Sequence, residues 1–361
     1  MTQKLVYYTP AALFGIDGFK ERFPKENAFC SMFNGSISLI DRTGAINIPP
    51  VDCLILDHIP EHQTPKSFRE LSEDRWQEIV DKIEDGKRII IFYSGGIDST
   101  LIACLALMHP DWRKHKDKIY LAFNEDSIVE NPTFFKKYLI PEFGDRLLNA
   151  SNFHNYIQDD QWVCVTGEFA DNIFGSLTLK SYMDATGNFD SIHGKFETEG
   201  LPWLLKKIKD PRYVNDCSDM LKALLETAPR RMVSNHDCFW WLNFATKWQA
   251  VKFRLVSHAP TPELVNAMAH RVVHFFETKE FQLWALYTDE DKVISNWYSY
   301  KLPAKNIIYE CNHDHEYLMY KTKYPSIPSL TRYSNMHDFI YLDDETDVYT
   351  ASKSFKFDVK S

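Results

Sequence analysis

Ile91-Phe92-Tyr93-Ser94-Gly95-Gly96-Ile97-Asp98-Ser99-Thr100, directly after Arg88-Ile89-Ile90, is the stretch on which the fold turns. An apolar run breaks into Ser94-Gly95-Gly96, and a second apolar stretch, Leu101 to Met108, follows at once. That order predicts a buried strand, a tight turn and a helix N-terminus. A helix start leaves backbone N–H groups unpaired and carries the positive end of the helix dipole, so an anion is its natural ligand. Gly95 and Gly96 allow close backbone approach, and Ser94, Ser99 and Thr100 offer hydroxyl donors. Asp98 would repel a bare phosphate and makes chemical sense as a magnesium ligand.

The spacing is not the Walker pattern, which needs Gly, four residues and Gly-Lys-Ser/Thr. It resembles instead the pyrophosphate loop, Ser-Gly-Gly-x-Asp-Ser, of enzymes that split ATP into AMP and pyrophosphate. An ordinary glycine-rich strand-to-helix turn would share the two glycines. The match at all six positions, in strand–loop–helix context, favours the phosphate reading.

Outward from this loop, residues 66–86 carry Phe68, Leu71, Trp76, Ile79, Val80 and Ile83 at helical period, with Asp85-Gly86 as the stop. Lys118–Phe123 and Gln161–Val165 read as further strands, and Pro132–Leu139 as a helix. Strands separated by helices predict an α/β fold: a parallel sheet with helices on both faces, its ligands at the carboxyl ends of the strands. From about residue 200 the pattern turns helical, over Leu201–Ile208, Asp219–Glu226, Phe239–Leu255, Pro262–Glu277 and Phe281–Leu286. Residues 1–65 read as a small β-rich segment. Ser36–Ile40 and Ala45–Ile48 alternate about Asp41-Arg42-Thr43-Gly44, a hairpin signal. The partition is thus 1–65, 66–330 and a C-terminal tail 331–361, for which a strand pair and an ordered tail both stay open.

The chain of 361 residues is 44% hydrophobic and 25% charged, an ordinary balance for a globular protein. Its net charge of −9 argues against a general nucleic-acid binder. Seven cysteines are scattered, none in a Cys-x-x-Cys pair, which gives no zinc ribbon or redox dithiol and suits a reducing cytoplasm. No stretch approaches 18 apolar residues and the start lacks a signal-peptide core, so no membrane partner is expected.

A second motif follows the strand at 161–165: Thr166-Gly167-Glu168-Phe169-Ala170-Asp171-Asn172-Ile173-Phe174-Gly175. It resembles the Gly-Glu-Gly-x-Asp-Glu-x-Phe-Gly-Gly segment of the asparagine synthetase and β-lactam synthetase group, within the N-type ATP pyrophosphatase superfamily. Gly167, Glu168, Asp171, Phe174 and Gly175 keep the pattern; Phe169, Asn172 and Ser176 depart from it. The resemblance, over roughly residues 66–330, implies an adenine nucleotide alpha-hydrolase-like fold binding ATP and Mg2+. It implies magnesium on Asp98 and Asp171, ATP phosphates on Ser94, Gly95, Gly96, Asp98, Ser99, Thr100 and Gly167, and Glu168 near the acyl centre as base or positioning group. A strand-to-helix loop capped by Asp171 is the simpler alternative for this segment taken alone.

Weaker matches follow. His274–Phe281 resembles the family's Pro-Phe-Leu-Asp helix start, but the glutamate preceding it in many members is not evident; the residues nearby are His270 and Arg271. Tyr320-Lys321-Thr322-Lys323-Tyr324 resembles the segment carrying a late lysine that stabilises the α-phosphate and the tetrahedral intermediate. Lys321 is the first candidate and Lys323 the second, with Lys305 for an earlier lysine. Asn124–Ser127, after the second strand, stand where the family places adenine and ribose, although such polar runs are commonly just loops. About 85 residues precede the first strand and position 2 is threonine, so no glutaminase domain is expected. Nitrogen would come from ammonia or an amine.

Together these features lead to an AMP-forming amide ligase acting on a small carboxylate, with ATP and Mg2+ as cofactors. Another pyrophosphate-loop enzyme, modifying a nucleotide or tRNA, and a catalytically silent nucleotide-binding protein are the alternatives. The carboxylate and the oligomeric state are not legible.

Overall fold

The computed structural model describes residues 3–33, 38–61, 66–175, 177–288, 292–293, 295–322 and 337–355. Its strands are β1 (Gln3–Tyr8), β2 (Arg88–Phe92), β3 (Ile119–Phe123), β4 (Leu147–Asn149), β5 (Trp162–Thr166), β6 (Val272–His274), β7 (Phe339–Asp343) and β8 (Val348–Ser352). The chain forms two compact units. One comprises Pro60–Phe174 and His270–Ser334; the other comprises Met1–Ile59, Gly175–Ala269 and Asn335–Ser361. Residues 175–269, grouped by linear position with 66–330, therefore cluster with the two ends of the chain.

The first unit is α/β, a five-stranded parallel sheet flanked by helices, in the order β4-β3-β2-β5-β6. Ile89, Ile90 and Ile91 at the centre of β2 are wholly buried. Each such side chain contributes on the order of 1.5–3 kcal/mol by leaving water. From β2 the chain runs outward to β3 and β4, then returns past β2 to β5 and β6. The direction changes between β2 and β5, and that is the point where parallel sheets open a crevice for ligands. Helix Phe68–Glu84 starts on a capping box, with Ser67 and Glu70 satisfying each other's backbone N–H, and Gly86 follows its end at φ +86°. Its predicted apolar face is buried.

Two elements differ from the sequence expectation here. The helix read over Pro262–Glu277 ends at Arg271, and Val272–His274 becomes β6. The β-branched pair Val272-Val273 finds a parallel partner in Cys164-Val165. Strand β4 was not anticipated.

The second unit holds an antiparallel sheet, β1-β7-β8. The described part of the C-terminal tail, 337–355, holds a strand pair, and β7 also pairs with β1, with a bulge between Leu5 and Tyr7. Helix Asn235–Val256 satisfies the bulge: Gln249 Nε2 donates to the Val6 carbonyl at 2.7 Å and to the Leu54 carbonyl at 2.8 Å, while its Oε1 accepts from Leu56 N–H at 2.9 Å. Among the described residues of 1–65, β1 is the one strand. Beyond β1 they form helices Phe19–Arg22 and Pro24–Met32, and the expected hairpin is not present in its described part, 38–48. Residues 34–37 lie outside the described residues. Asp41 captures the local amides, accepting from Thr43 N–H at 2.8 Å and Ile46 N–H at 2.9 Å. Ile40 and Arg42 N–H donate to the carbonyls of Thr246 and Ala245, so no strand ladder forms.

Candidate active site

The turn after β2 is held by its own hydroxyls. Ser94 N–H donates to Ser99 Oγ at 3.1 Å, the two hydroxyl oxygens are 3.1 Å apart, and Gly96 N–H points to Ser94 Oγ at 3.4 Å. Gly96 is the N-cap of helix Ile97–Met108, without a side-chain cap on the free N–H groups. Gly95 sits at φ +78°, and a Cβ there would lie 2.4 Å from the Ser127 carbonyl oxygen and 2.6 Å from Glu130 Cβ. Only glycine fits. At Gly96 a Cβ would meet nothing closer than 3.4 Å, so that residue is not sterically required. Thr100 is fully buried, its hydroxyl among those of Tyr93 and Tyr317, and so faces the interior.

The loop after β5 lies against this helix start. A Cβ on Gly167 would be 3.0 Å from Asp98 Cβ and 3.2 Å from Ser99 N. Close approach of the two loops leaves an added side chain at residue 167 tight against Asp98 and Ser99. Phe169 has φ +72°, a left-handed conformation that costs a non-glycine residue about 1–2 kcal/mol. The residue departs from the glycine of the resembling pattern while its backbone adopts the geometry glycine favours. Its ring offsets the strain by burying itself, 1% exposed, at 5.2 Å from His274. The Phe169 carbonyl accepts from Asn172 and Ile173 N–H and starts the short helix Ala170–Phe174 that carries Asp171.

Both aspartates converge on one residue that the sequence analysis did not single out. Lys301 Nζ is 2.6 Å from each carboxylate oxygen of Asp98 and 2.8 Å from Asp171 Oδ1. Lys301 is 1% exposed and left-handed, at φ +61°, just before helix Leu302–Asn312. Burial pulls its pKa below the usual lysine range, opposed by Asp98 and by the nearby charge of Glu168. Tyr300, stacked on Trp297 at 4.2 Å, points its hydroxyl to Asp171 Oδ1 at 3.4 Å. Burial and the Asp98 charge keep that phenol protonated, well above its ordinary pKa. No composition or spacing signal marks Lys301 among 41 basic residues.

Two carboxylates within reach of one ammonium also suit a small divalent cation, whose other ligands would be phosphate oxygens and water. Among the described residues no cluster of three or more His, Cys, Asp or Glu forms a closed metal cage. Asp98 and Asp171 could supply two oxygen ligands to such an ion.

The other lysines are placed differently. Lys321 Nζ is 2.7 Å from Glu130 Oε1 and donates to the Glu130 carbonyl at 3.1 Å; Glu130 is the residue flanking Gly95. Lys321 thus stands beside the loop, paired. Lys323 lies outside the described residues, as does Ser176. Lys305 is buried and donates to the carbonyls of Tyr298 at 2.7 Å and Lys321 at 3.2 Å, and burial lowers its pKa from 10.5 to about 8. Asn124 and Ser127 form the capping box of helix Glu125–Glu130. Arg271 donates to the carbonyls of Ile157 and Gln158. A groove of about 640 Å³ lined by Arg75, Lys82, Lys87, Trp162 and Arg271 lies at the amino ends of β2 and β5, away from both loops. No helix among the described residues is long and apolar enough to cross a membrane. Comparison with protein-family models, curated proteins and solved structures finds no match to this chain.

Proposed function

We propose that this chain is an ATP-dependent, AMP-forming ligase of the asparagine-synthetase type, acting in the cytoplasm on a fold of the adenine nucleotide alpha-hydrolase kind. The observation that carries the reading is the convergence of Asp98 and Asp171 on one cation, beside a glycine-built helix N-terminus at the switch point of a parallel sheet. The loop Ser94–Ser99 would hold the β- and γ-phosphates through backbone N–H groups and the dipole. Magnesium held by Asp98 and Asp171 would supply charge neutralisation on the departing pyrophosphate.

A substrate carboxylate oxygen bonds to the α-phosphorus as the bond to the bridging oxygen of pyrophosphate breaks, giving an acyl-adenylate. An amine nitrogen then bonds to the acyl carbon, AMP leaves, and Glu168 accepts the proton the nitrogen sheds. Lys301 stands ready to take phosphate oxygens in place of carboxylates. Lys321 enters the scheme only by exchanging Glu130 for the substrate's phosphate. Holding both reactants at one sheet edge contributes up to about 7–11 kcal/mol of the barrier reduction.

A silent nucleotide-binding protein is the competing reading, and the departures at Phe169 and Asn172 favour it. Product analysis separates the two. With ATP, magnesium and a carboxylate-plus-amine panel, equal amounts of AMP and pyrophosphate support the ligase. ADP and phosphate, or no turnover with any pair, count against it.

A further inference from the structure

Lys301 occupies the place between the two carboxylates that the proposed reaction needs for metal. Its ammonium touches both oxygens of Asp98 and one of Asp171, it is 1% exposed, and it sits at a left-handed position fixed by backbone bonds. The Lys301 N–H donates to the Lys292 carbonyl at 3.0 Å, and the Lys301 carbonyl accepts from Lys305 N–H at 3.0 Å. Backbone anchoring on both sides leaves the side chain, not the chain path, as the part that can move.

Electrostatics then decides when a metal can enter. A bare divalent cation must evict the ammonium from both carboxylates, and the evicted charge would stay buried, stripped of its contacts to Asp98 and Asp171 and left with the nearby charge of Glu168. Stranding a buried charge is strongly unfavourable. A nucleotide changes the balance because its polyphosphate brings several negative oxygens to the helix start that carries Asp98. The ammonium can then pass from carboxylate to phosphate while the metal takes the carboxylates. Every charge stays paired throughout.

We propose that Lys301 is a built-in counterion that closes the Asp98–Asp171 site to free divalent metal and hands the carboxylates over only when a polyphosphate arrives. The inference rests on the nucleotide reading of the site and adds an order of events: metal is admitted with ATP, not before it. Linkage makes the dependence mutual, so metal and nucleotide each raise the other's affinity.

Electron paramagnetic resonance of Mn2+, used in place of magnesium, tests this without any turnover. The wild-type chain with Mn2+ alone is expected to leave the ion free, whereas Mn2+ with ATP gives one bound ion per chain. Lys301→Met is expected to bind one Mn2+ without nucleotide, at least about tenfold more tightly than wild type, inside the about 5–150-fold range typical of linked sites. Adding Asp98→Asn to that variant should abolish the binding, which assigns it to this pair.

Wild type that holds one Mn2+ per chain without nucleotide, as tightly as Lys301→Met, overturns the inference; so does a folded Lys301→Met that binds none. Lys301→Gln serves if the methionine variant does not fold, and the wild-type arm stands by itself in either case. Failure of wild type to take up Mn2+ even with ATP contradicts the nucleotide reading, while the Lys301→Met arm still decides the exchange.

Discussion

Lys301 Nζ lies 2.6 Å from both carboxylate oxygens of Asp98, so a single ammonium ties the start of helix Leu302–Asn312 to the first turn of helix Ile97–Met108. Asp171 joins the same ammonium at 2.8 Å. One cation therefore organises two loops that are far apart in sequence.

Asp98→Asn and Asp171→Asn are each expected to lower AMP formation by at least about 10²–10³, the usual cost of removing one electrostatic stabiliser. Wild-type-like turnover in either variant contradicts the metal assignment.

Gly95→Ala places a Cβ 2.4 Å from the Ser127 carbonyl, at a φ of +78°. Backbone cannot yield cheaply, and the left-handed residue adds about 1–2 kcal/mol of strain. Weaker ATP binding with lower stability is expected, read by nucleotide titration and urea unfolding. Gly96→Ala meets nothing closer than 3.4 Å and should fold nearly as wild type.

Phe169→Gly sets two magnitudes against each other. Relief of the left-handed strain is worth about 1–2 kcal/mol, whereas loss of a fully buried phenylalanine costs about 3–5 kcal/mol. The variant should be less stable by about 1–4 kcal/mol. Unchanged or raised stability in denaturant unfolding would show that the ring contributes little to the core.

Lys305 gives a pH signature. Burial lowers its pKa from 10.5 to about 8, so the unfolded chain binds the proton more tightly than the folded one. The cost of burying the charged amine is fully present below pH 8 and is relieved as pH rises from about 8 to 10.5. Relative to Lys305→Met, wild type should gain up to about 3 kcal/mol over that window, at about 1.4 kcal/mol per unit. Parallel unfolding free energies of the two proteins at pH 7.5 and 10.5 would contradict the assignment.

Runs of four apolar residues, Ile89–Phe92 and Trp162–Val165, were legible in sequence because buried parallel strands are hydrophobic on both faces. Strands of three residues, Leu147–Asn149 and Val272–His274, carry too short a pattern, and their pairing is non-local. The alternation at 36–48 was real, but Asp41 and the carbonyls of Ala245 and Thr246 took the amides a hairpin would use. In the site, Ser94–Ser99, Gly167 and the two aspartates stand out through motif spacing. Lys301 does not, because its meaning arises only when three distant segments meet.

Adenylation of a carboxylate is measured by ATP–pyrophosphate exchange, which reads that half-reaction before the nitrogen donor is known. With wild-type chain, ATP, magnesium and labelled pyrophosphate, label should enter ATP only when a particular carboxylate is added, and Asp98→Asn should abolish the incorporation. Absence of carboxylate-dependent exchange across a broad panel, with ATP shown to be bound, would contradict the account.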